Sequence, residues 1–423
     1  VSAPATTTTR LDALLITGAL LGANAASYVL TIAAARALAP AIFGELSALL
    51  ALVVIGVVPA MSLQTVAALR VTNLGPRPLF GLGLSVSAGM TVLTLALVPL
   101  LAHLLHLDGP WPVVWLALSL APLTVLGVLH GLLQGTHRFR ALALLVSLEG
   151  LGKVGGGVIG LWLSPSSTSV LAGTAIGSFL VVLTGWRLCG SPAPARPAGG
   201  AEVMHASQAM LALVLLVNLD LVLARHQLAG QAGGYAVGAV VTKIAYWLPQ
   251  AVGVLVLPRL ADADDRRRML PKALAVCAGL DVFVIAGCAL FGPLGVSLIG
   301  GANYRGDAIP LWQFALMGSC LALVQLLLFS RIASGDRRST VAVWIAVAAE
   351  IALITLWLNG SVGQVVTGAL LATAGLVVAG TLIEALYRPD HGAAGSRRCP
   401  NAPNAAATSA ETATRNAAWT SGT

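Results

Sequence analysis

Apolar residues fill this chain in long blocks, and the short breaks between the blocks hold most of its charges. A helix rises about 1.5 Å per residue, so about 20 apolar residues cross the hydrocarbon of a bilayer. Twelve blocks of that order are present, at 13–34, 41–60, 80–101, 111–133, 141–163, 170–188, 209–224, 235–257, 273–290, 309–329, 341–358 and 362–386. The pattern predicts an all-α polytopic membrane protein with twelve transmembrane helices. A linker rich in Pro, Ala and Gly, 189–206, divides it into two six-helix lobes, an N-lobe of 11–188 and a C-lobe of 207–388. Residues 1–10 are a polar start. Beyond 388 the chain turns to Ala, Thr, Asn and Ser, which cannot build a core, so 389–423 is expected to be a disordered tail.

A weak internal repeat supports six helices plus six. At a shift of 190, Leu38, Ala39, Gly44 and Pro59 fall on Leu228, Ala229, Gly234 and Pro249; at a shift of 200, Gly135 and Arg138 fall on Gly335 and Arg338. Six is even, so equivalent helices enter from the same side and the lobes are related by an axis along the membrane normal. Transporters built this way bind near the midplane, where the repeats meet.

Composition agrees with the pattern. Charged residues are 9% of the chain, against about 25% in soluble proteins, and the mean hydropathy is +0.89. The net charge of +8 invites a nucleic-acid partner until its distribution is considered. With twelve spans, the side of the termini holds most of the arginines, and the opposite loops hold only Arg36, Arg225 and Arg305. The positive-inside rule then puts both termini in the cytoplasm of a cell-membrane protein, and no nucleic-acid partner is required. The five cysteines are scattered and suggest neither a disulfide framework nor a metal site.

Charges inside apolar blocks are the candidate chemistry, because each costs about 2.5–3.5 kcal/mol at a helix centre. Lys243, Trp247 and Gln250 lie at i, i+4 and i+7, one helical face, with Lys243 about 14 Å deep at 1.5 Å per residue. A cation beside an aromatic plane suits a phosphate and a sugar or amphipathic ligand. Across a hairpin whose turn is centred near Gln231 and Ala232, Asp220 falls at a similar depth, and a structural Lys243–Asp220 pair is the competing reading. Asp220 with Asn218 is also a candidate proton or cation site for coupling. Glu149 and Lys153 form an i, i+4 pair on a face continued by Gly156 and Gly160, as in closely packed helices. That pair reads first as a buried salt bridge. Glu350 has no partner in its own helix, His130 reads as an interior histidine, and Arg225 and His226 read as interfacial side chains reaching outward. No metalloprotease, nucleotide-loop or paired-cysteine motif is present, and the loops opposite the termini are short, which argues against an enzyme.

The segment Ala35-Arg-Ala-Leu-Ala-Pro-Ala-Ile-Phe-Gly44 resembles the turn after the first helix in polysaccharide-exporting flippases, the Wzx-type branch of the MOP superfamily. Asn218-Leu-Asp220 with Leu228-Ala-Gly-Gln-Ala-Gly-Gly-Tyr235, the run Leu298-Ile-Gly-Gly-Ala-Asn-Tyr304, and Ser334-Gly335 are similar to that family's later signatures. The resemblance covers roughly 12–388 and implies a MATE-like fold of two lobes. It further implies alternating access around a cationic cavity that moves a lipid-linked oligosaccharide on an undecaprenyl pyrophosphate-type carrier. Lys243, Trp247, Gln250 and Arg36 would then contact substrate, while Asp220, Asn218, Glu149, Lys153 and Glu350 would serve as charge partners or coupling groups. No cofactor is implied beyond Na+ or H+ coupling, and the partners would be membrane lipids and a glycan polymerase or glycosyltransferases. Two departures stand out: Ala39 replaces the usual Gly, and the cavity arginines of fourteen-span lipid II flippases have no match except Arg36 near the outer end. A cation-coupled multidrug exporter of the same superfamily is the alternative, and a membrane glycan polymerase or ligase is a third class.

Overall fold

The computed structural model describes residues 6–247, 263–333 and 338–386, and a helix covers each predicted span within them. The N-lobe comprises α1 (Thr6–Ala37), α2 (Pro40–Gly56), α3 (Val58–Leu74), α4 (Pro76–Ala96), α5 (Val98–Leu104), α6 (Trp111–Gly135), α7 (Phe139–Leu163) and α8 (Ser167–Leu188). The C-lobe follows with α9 (Gly200–Gln227), α10 (Ala232–Trp247), α11 (Ala263–Leu290), α12 (Gly292–Gly300), a 3-10 turn (Gly301–Tyr304), α13 (Leu311–Ala333), α14 (Arg338–Leu356) and α15 (Val362–Leu386). The chain divides into two units, Val1–Gly380 and Thr381–Thr423. The second is described only at the end of α15. Gln250, Pro249, Gly335 and the expected tail 389–423 lie outside the described residues.

Nine spans among the described residues are long and apolar enough to cross a membrane. A tenth is added if Ala275–Leu290 and Gly292–Tyr304, bent by 86°, form one span. The remaining two expected spans are shorter here: α10 is described for 16 residues, and the apolar part of α14 is Thr340–Leu356. Length and apolarity alone therefore do not reach the expected count of twelve.

Proline explains the breaks within spans. Pro59 and Pro99 stand at the second positions of α3 and α5, where a missing N–H is tolerated but the preceding helix cannot run straight through. The second and third predicted spans are therefore each two helices, α2 with α3 and α4 with α5.

Glycine sets the closest packing. In α6, Gly127, Gly131 and Gly135 lie at four-residue spacing, and a Cβ on each would strike the carbonyls of Ala60, Gln64 and Ala68 in α3. Gly152, Gly156 and Gly160 of α7 meet Gly177, Gly173 and Ser169 of α8 in the same way. Backbones that touch gain dispersion contacts and exclude lipid, which is how small residues join helices in a bilayer. The stripe expected on α7 is thus a helix–helix seam. α6 becomes the buried axis of the N-lobe, packed on α3, α4 and α8. In the C-lobe, α10 packs on α13, where Gly238 sits under the Phe314 ring and Gly318 on the Thr242 carbonyl. Across the lobes, α2 packs on both α9 and α10.

Candidate functional site

Three carboxylates are buried among the described residues of the C-lobe, Asp220, Asp281 of α11 (3% exposed) and Glu350, and the first and last of them lie on neighbouring helices. Asp220 of α9 is 2% exposed and Glu350 of α14 is 0% exposed, and the two lie within electrostatic range of each other. One Asp220 oxygen accepts the Tyr235 hydroxyl at 2.8 Å. Its other oxygen, and both oxygens of Glu350, have no hydrogen-bond partner. Carboxylates without donors in a dry interior cannot both be ionised unless a cation compensates them. Chemically, such a pair can take up a proton or a small cation. Asn218 does not join it by hydrogen bonding, because its amide donates to the Val214 carbonyl of its own helix at 2.9 Å.

Lys243 of α10 is partly buried. Asp220 feels its charge, yet the expected Lys243–Asp220 ion pair does not form: Lys243 has no ion pair or hydrogen bond among the described residues. The reason is geometric. α9 ends at Gln227 and α10 begins at Ala232, so the turn is centred nearer Ala229 and Gly230 than Gln231 and Ala232. Asp220 is then seven residues from the turn and Lys243 eleven, a depth offset of about 6 Å at 1.5 Å per residue. Tyr235, whose ring reaches inward from the first turn of α10, takes the place predicted for Lys243. Trp247 is one helical turn beyond Lys243, 43% exposed, and packs edge-on against Tyr246 at 6.0 Å.

The N-lobe pair forms as expected and gains a neighbour. Lys153 Nζ is 2.9 Å from Glu149 Oε1, and His130 Nε2 of α6 stands 3.6 Å from Glu149 Oε2. Lys153 remains about one-third exposed, so this site has one face open.

Arg36 is not brought to Lys243. It lies at the end of α1 and donates to the Leu298 carbonyl, at the level where α10 begins. Arg225 also departs from expectation, being 6% exposed rather than reaching outward. Its guanidinium donates to the carbonyls of Leu105 (2.9 Å), Ala41 (3.2 Å), Ala229 (3.0 Å) and His106 (3.3 Å), and lies 3.7 Å from the Glu45 carboxylate. Beside it, His226 Nδ1 is 2.9 Å from the Leu104 carbonyl and its ring stacks on His106 at 5.7 Å. A rigid fork of donors meets a ring of carbonyls contributed mainly by the other lobe.

The stretches that carry the family resemblance meet at this same seam. Asn303 donates to the Leu38 carbonyl at 3.3 Å, Arg36 reaches Leu298, and a Cβ on Gly44 would run into the backbone of Ala232 and Gly233. Three motifs far apart in sequence thus join the lobes on the side where α1 ends. The sequence reading missed Tyr235, Glu45 and this use of Arg225. Glu45 left the signal of a charge inside an apolar block, and Tyr235 that of a phenol in one.

No protein-family profile matches the chain, and no curated protein does. Solved structures do match. An inward-facing multidrug resistance MATE family transporter of the MOP superfamily superposes with a TM-score of 0.69 over 86% of this chain and 95% of its own, at 13% identity. The lipid II flippase MurJ in an inward closed conformation gives 0.67 over 88% and 87%, at 15% identity. The chain has a MATE-like fold. An outward-facing multidrug resistance MATE transporter is also similar, with a TM-score of 0.55 over 89% of this chain and 96% of its own at 12% identity. Within this shared fold, the seam of Arg225 and Glu45 is where the two lobes touch on one side.

Proposed function

We propose that the chain is a membrane transporter of the Wzx-type branch that flips a polyprenyl-(pyro)phosphate-linked oligosaccharide across the cell membrane, for cell-surface polysaccharide synthesis. The observation that carries this reading is Lys243, a cation inside an apolar helix with no ion pair or hydrogen bond among the described residues. Holding an unpaired charge there is costly, and an anionic head group of the substrate would relieve that cost. Trp247, on the same face, offers a ring and an N–H to the glycan, and the i+7 spacing of Gln250 in the sequence assigns it the same contact. A site of this sign repels the cationic drugs that a multidrug exporter would carry.

In this reading both termini are cytoplasmic, and the outer seam is closed while substrate enters from within. The higher similarity to the inward-facing structure than to the outward-facing one supports that state. Asp220 and Glu350 couple the cycle to H+ or Na+, and partner enzymes of glycan assembly supply and consume the substrate. The Glu149–Lys153 pair holds the N-lobe helices in register.

The test uses purified protein in vesicles with labelled lipid-linked oligosaccharide. Lys243→Ala is expected to insert normally and to lose transport, and Lys243→Arg to keep part of it. Wild-type flipping by Lys243→Ala would overturn the assignment. A second reading, a cation-coupled exporter, is favoured by the Asp220–Glu350 pair alone. It predicts gradient-driven dye efflux in vesicles free of lipid-linked sugar, where the flippase reading predicts none.

A further inference from the structure

A groove of about 580 Å³ lies in the N-lobe between α4, α6 and α8, and the linker after α8 forms its end. Phe80, Leu84, Val125, Phe179, Leu183 and Trp186 line its walls, with Pro192 and Pro194 at the lip. The polar atoms of the helical walls are engaged within the protein. Ser87 Oγ donates to the Ala121 carbonyl at 3.0 Å, and Trp186 Nε1 donates to the Pro192 carbonyl at 3.2 Å. Along those walls a polar ligand would find no free side-chain donor among the described residues, and only Ser191 at the lip brings a hydroxyl, so the body of the groove suits a hydrocarbon chain.

Its surroundings say where the chain comes from. All three walls are membrane-crossing helices, and Leu84, Phe179 and Leu183 remain exposed along the opening, so the groove opens to lipid. From Phe80 to Ser87, and again from Phe179 to Trp186, it follows a helix for about 10 Å at 1.5 Å per residue. That is most of one leaflet, whose hydrocarbon is about 15 Å deep. The linker marks the arginine-rich end, which the positive-inside rule assigns to the cytoplasm. There Arg77 precedes Phe80 by one turn and accepts the Ala195 N–H on its carbonyl at 3.3 Å, while Arg187 follows Trp186 directly. The side chains of Arg77 and Arg187 are exposed and make no ion pair, whereas Arg138 nearby donates to the Leu188 carbonyl at 2.6 Å.

We propose that this groove binds one acyl chain of an anionic phospholipid from the arginine-rich leaflet, with the lipid phosphate at Arg77 and Arg187. The two hydrogen bonds that hold the linker, Trp186 to Pro192 and Ala195 to Arg77, lie against the same lipid. Its occupancy therefore supports the segment that leads from α8 to α9 and joins the lobes.

Native mass spectrometry of the full chain, stripped of lipid and then supplied with phosphatidylglycerol or phosphatidylcholine, tests this. Wild type is expected to retain one phosphatidylglycerol in preference to phosphatidylcholine. Arg77→Gln with Arg187→Gln should reduce that preference by about fivefold per arginine, the usual contribution of a basic residue at an anionic surface. Ala121→Trp, which fills the groove from α6, should lose retention of both lipids. Because that variant can also fail to fold, a second readout uses wild-type protein: phosphatidylglycerol brominated in mid-chain should quench the part of the fluorescence that Trp186→Phe removes. Equal retention of the two phospholipids by wild type, unchanged retention by Ala121→Trp, absence of Trp186 quenching, or preferential retention of a polyprenyl phosphate would each overturn the proposal.

Discussion

At the scale of residues, the charges that matter are those the bilayer leaves without water. Glu350 is fully buried with both oxygens unpartnered, so Gln at that position keeps the shape and removes the exchangeable charge. Glu350→Gln is therefore expected to fold as wild type does and to lose the acceleration of transport by an imposed H+ or Na+ gradient. A gradient response equal to wild type in vesicles, for Glu350→Gln and Asp220→Asn alike, would rule the pair out as the coupling site. Lys243, Asp220 and Glu350 were legible in the sequence because a charge within an apolar run stands out against its neighbours. What each one touches was not legible. Asp220 meets Tyr235 rather than Lys243 because the turn is shifted by about two residues, a detail fixed by where α9 stops rather than by any spacing of charges. Arg225 was further from reach, since its partners are backbone carbonyls and every residue type carries one of those.

At the scale of elements, proline and glycine decide how these helices break and touch. The apolar blocks located each helix, while Pro59 and Pro99 divided two of them in ways that hydropathy averages over. The stripe of Gly152, Gly156 and Gly160 announced a close contact. That the contact is α8, through Gly173 and Gly177, depended on the pairing of the two glycine sets and not on either alone. The seam gives a local test. A side chain at Gly156 would collide with the Gly173 carbonyl, whereas Gly155, one residue away, has open space around it. Gly156→Val is expected to destabilise the protein by at least the 1–3 kcal/mol that overpacking typically costs, about the scale seen in tight cores. Gly155→Val is expected to leave stability nearly unchanged. Thermal unfolding of both variants in detergent checks this, and equal loss in the two would mean that α7 and α8 are not joined through this face.

At the scale of the whole molecule, the proposed transport cycle requires the lobes to separate where they now touch. The seam of Arg225, Glu45, Arg36 and Gly301 closes the side where α1 ends, and the proposed alternating access requires that it open. The stretches around Leu38, Gly44, Ala232 and Asn303 meet along it, and in the proposed cycle they form the closing surface while Lys243 faces the substrate. A covalent lock distinguishes a moving seam from a static one. A Cβ built on Gly301 lies 3.8 Å from the Cβ of Arg36, within the range of about 3.5–4.5 Å that a disulfide spans. Gly301 has a φ of +71° and a ψ of −148°, a region nearly confined to glycine, so a side chain there costs about 1–3 kcal/mol, against the roughly 2–4 kcal/mol that a disulfide typically contributes. On a background with the other cysteines replaced, Arg36→Cys with Gly301→Cys should cross-link on oxidation. Transport should fall to the level of empty vesicles when the bond forms and return when a reductant breaks it. The reduced form controls for loss of the Arg36 contact to Leu298. If the oxidised protein is fully cross-linked and still transports at the reduced rate, this side does not open during the cycle, and substrate leaves by another route.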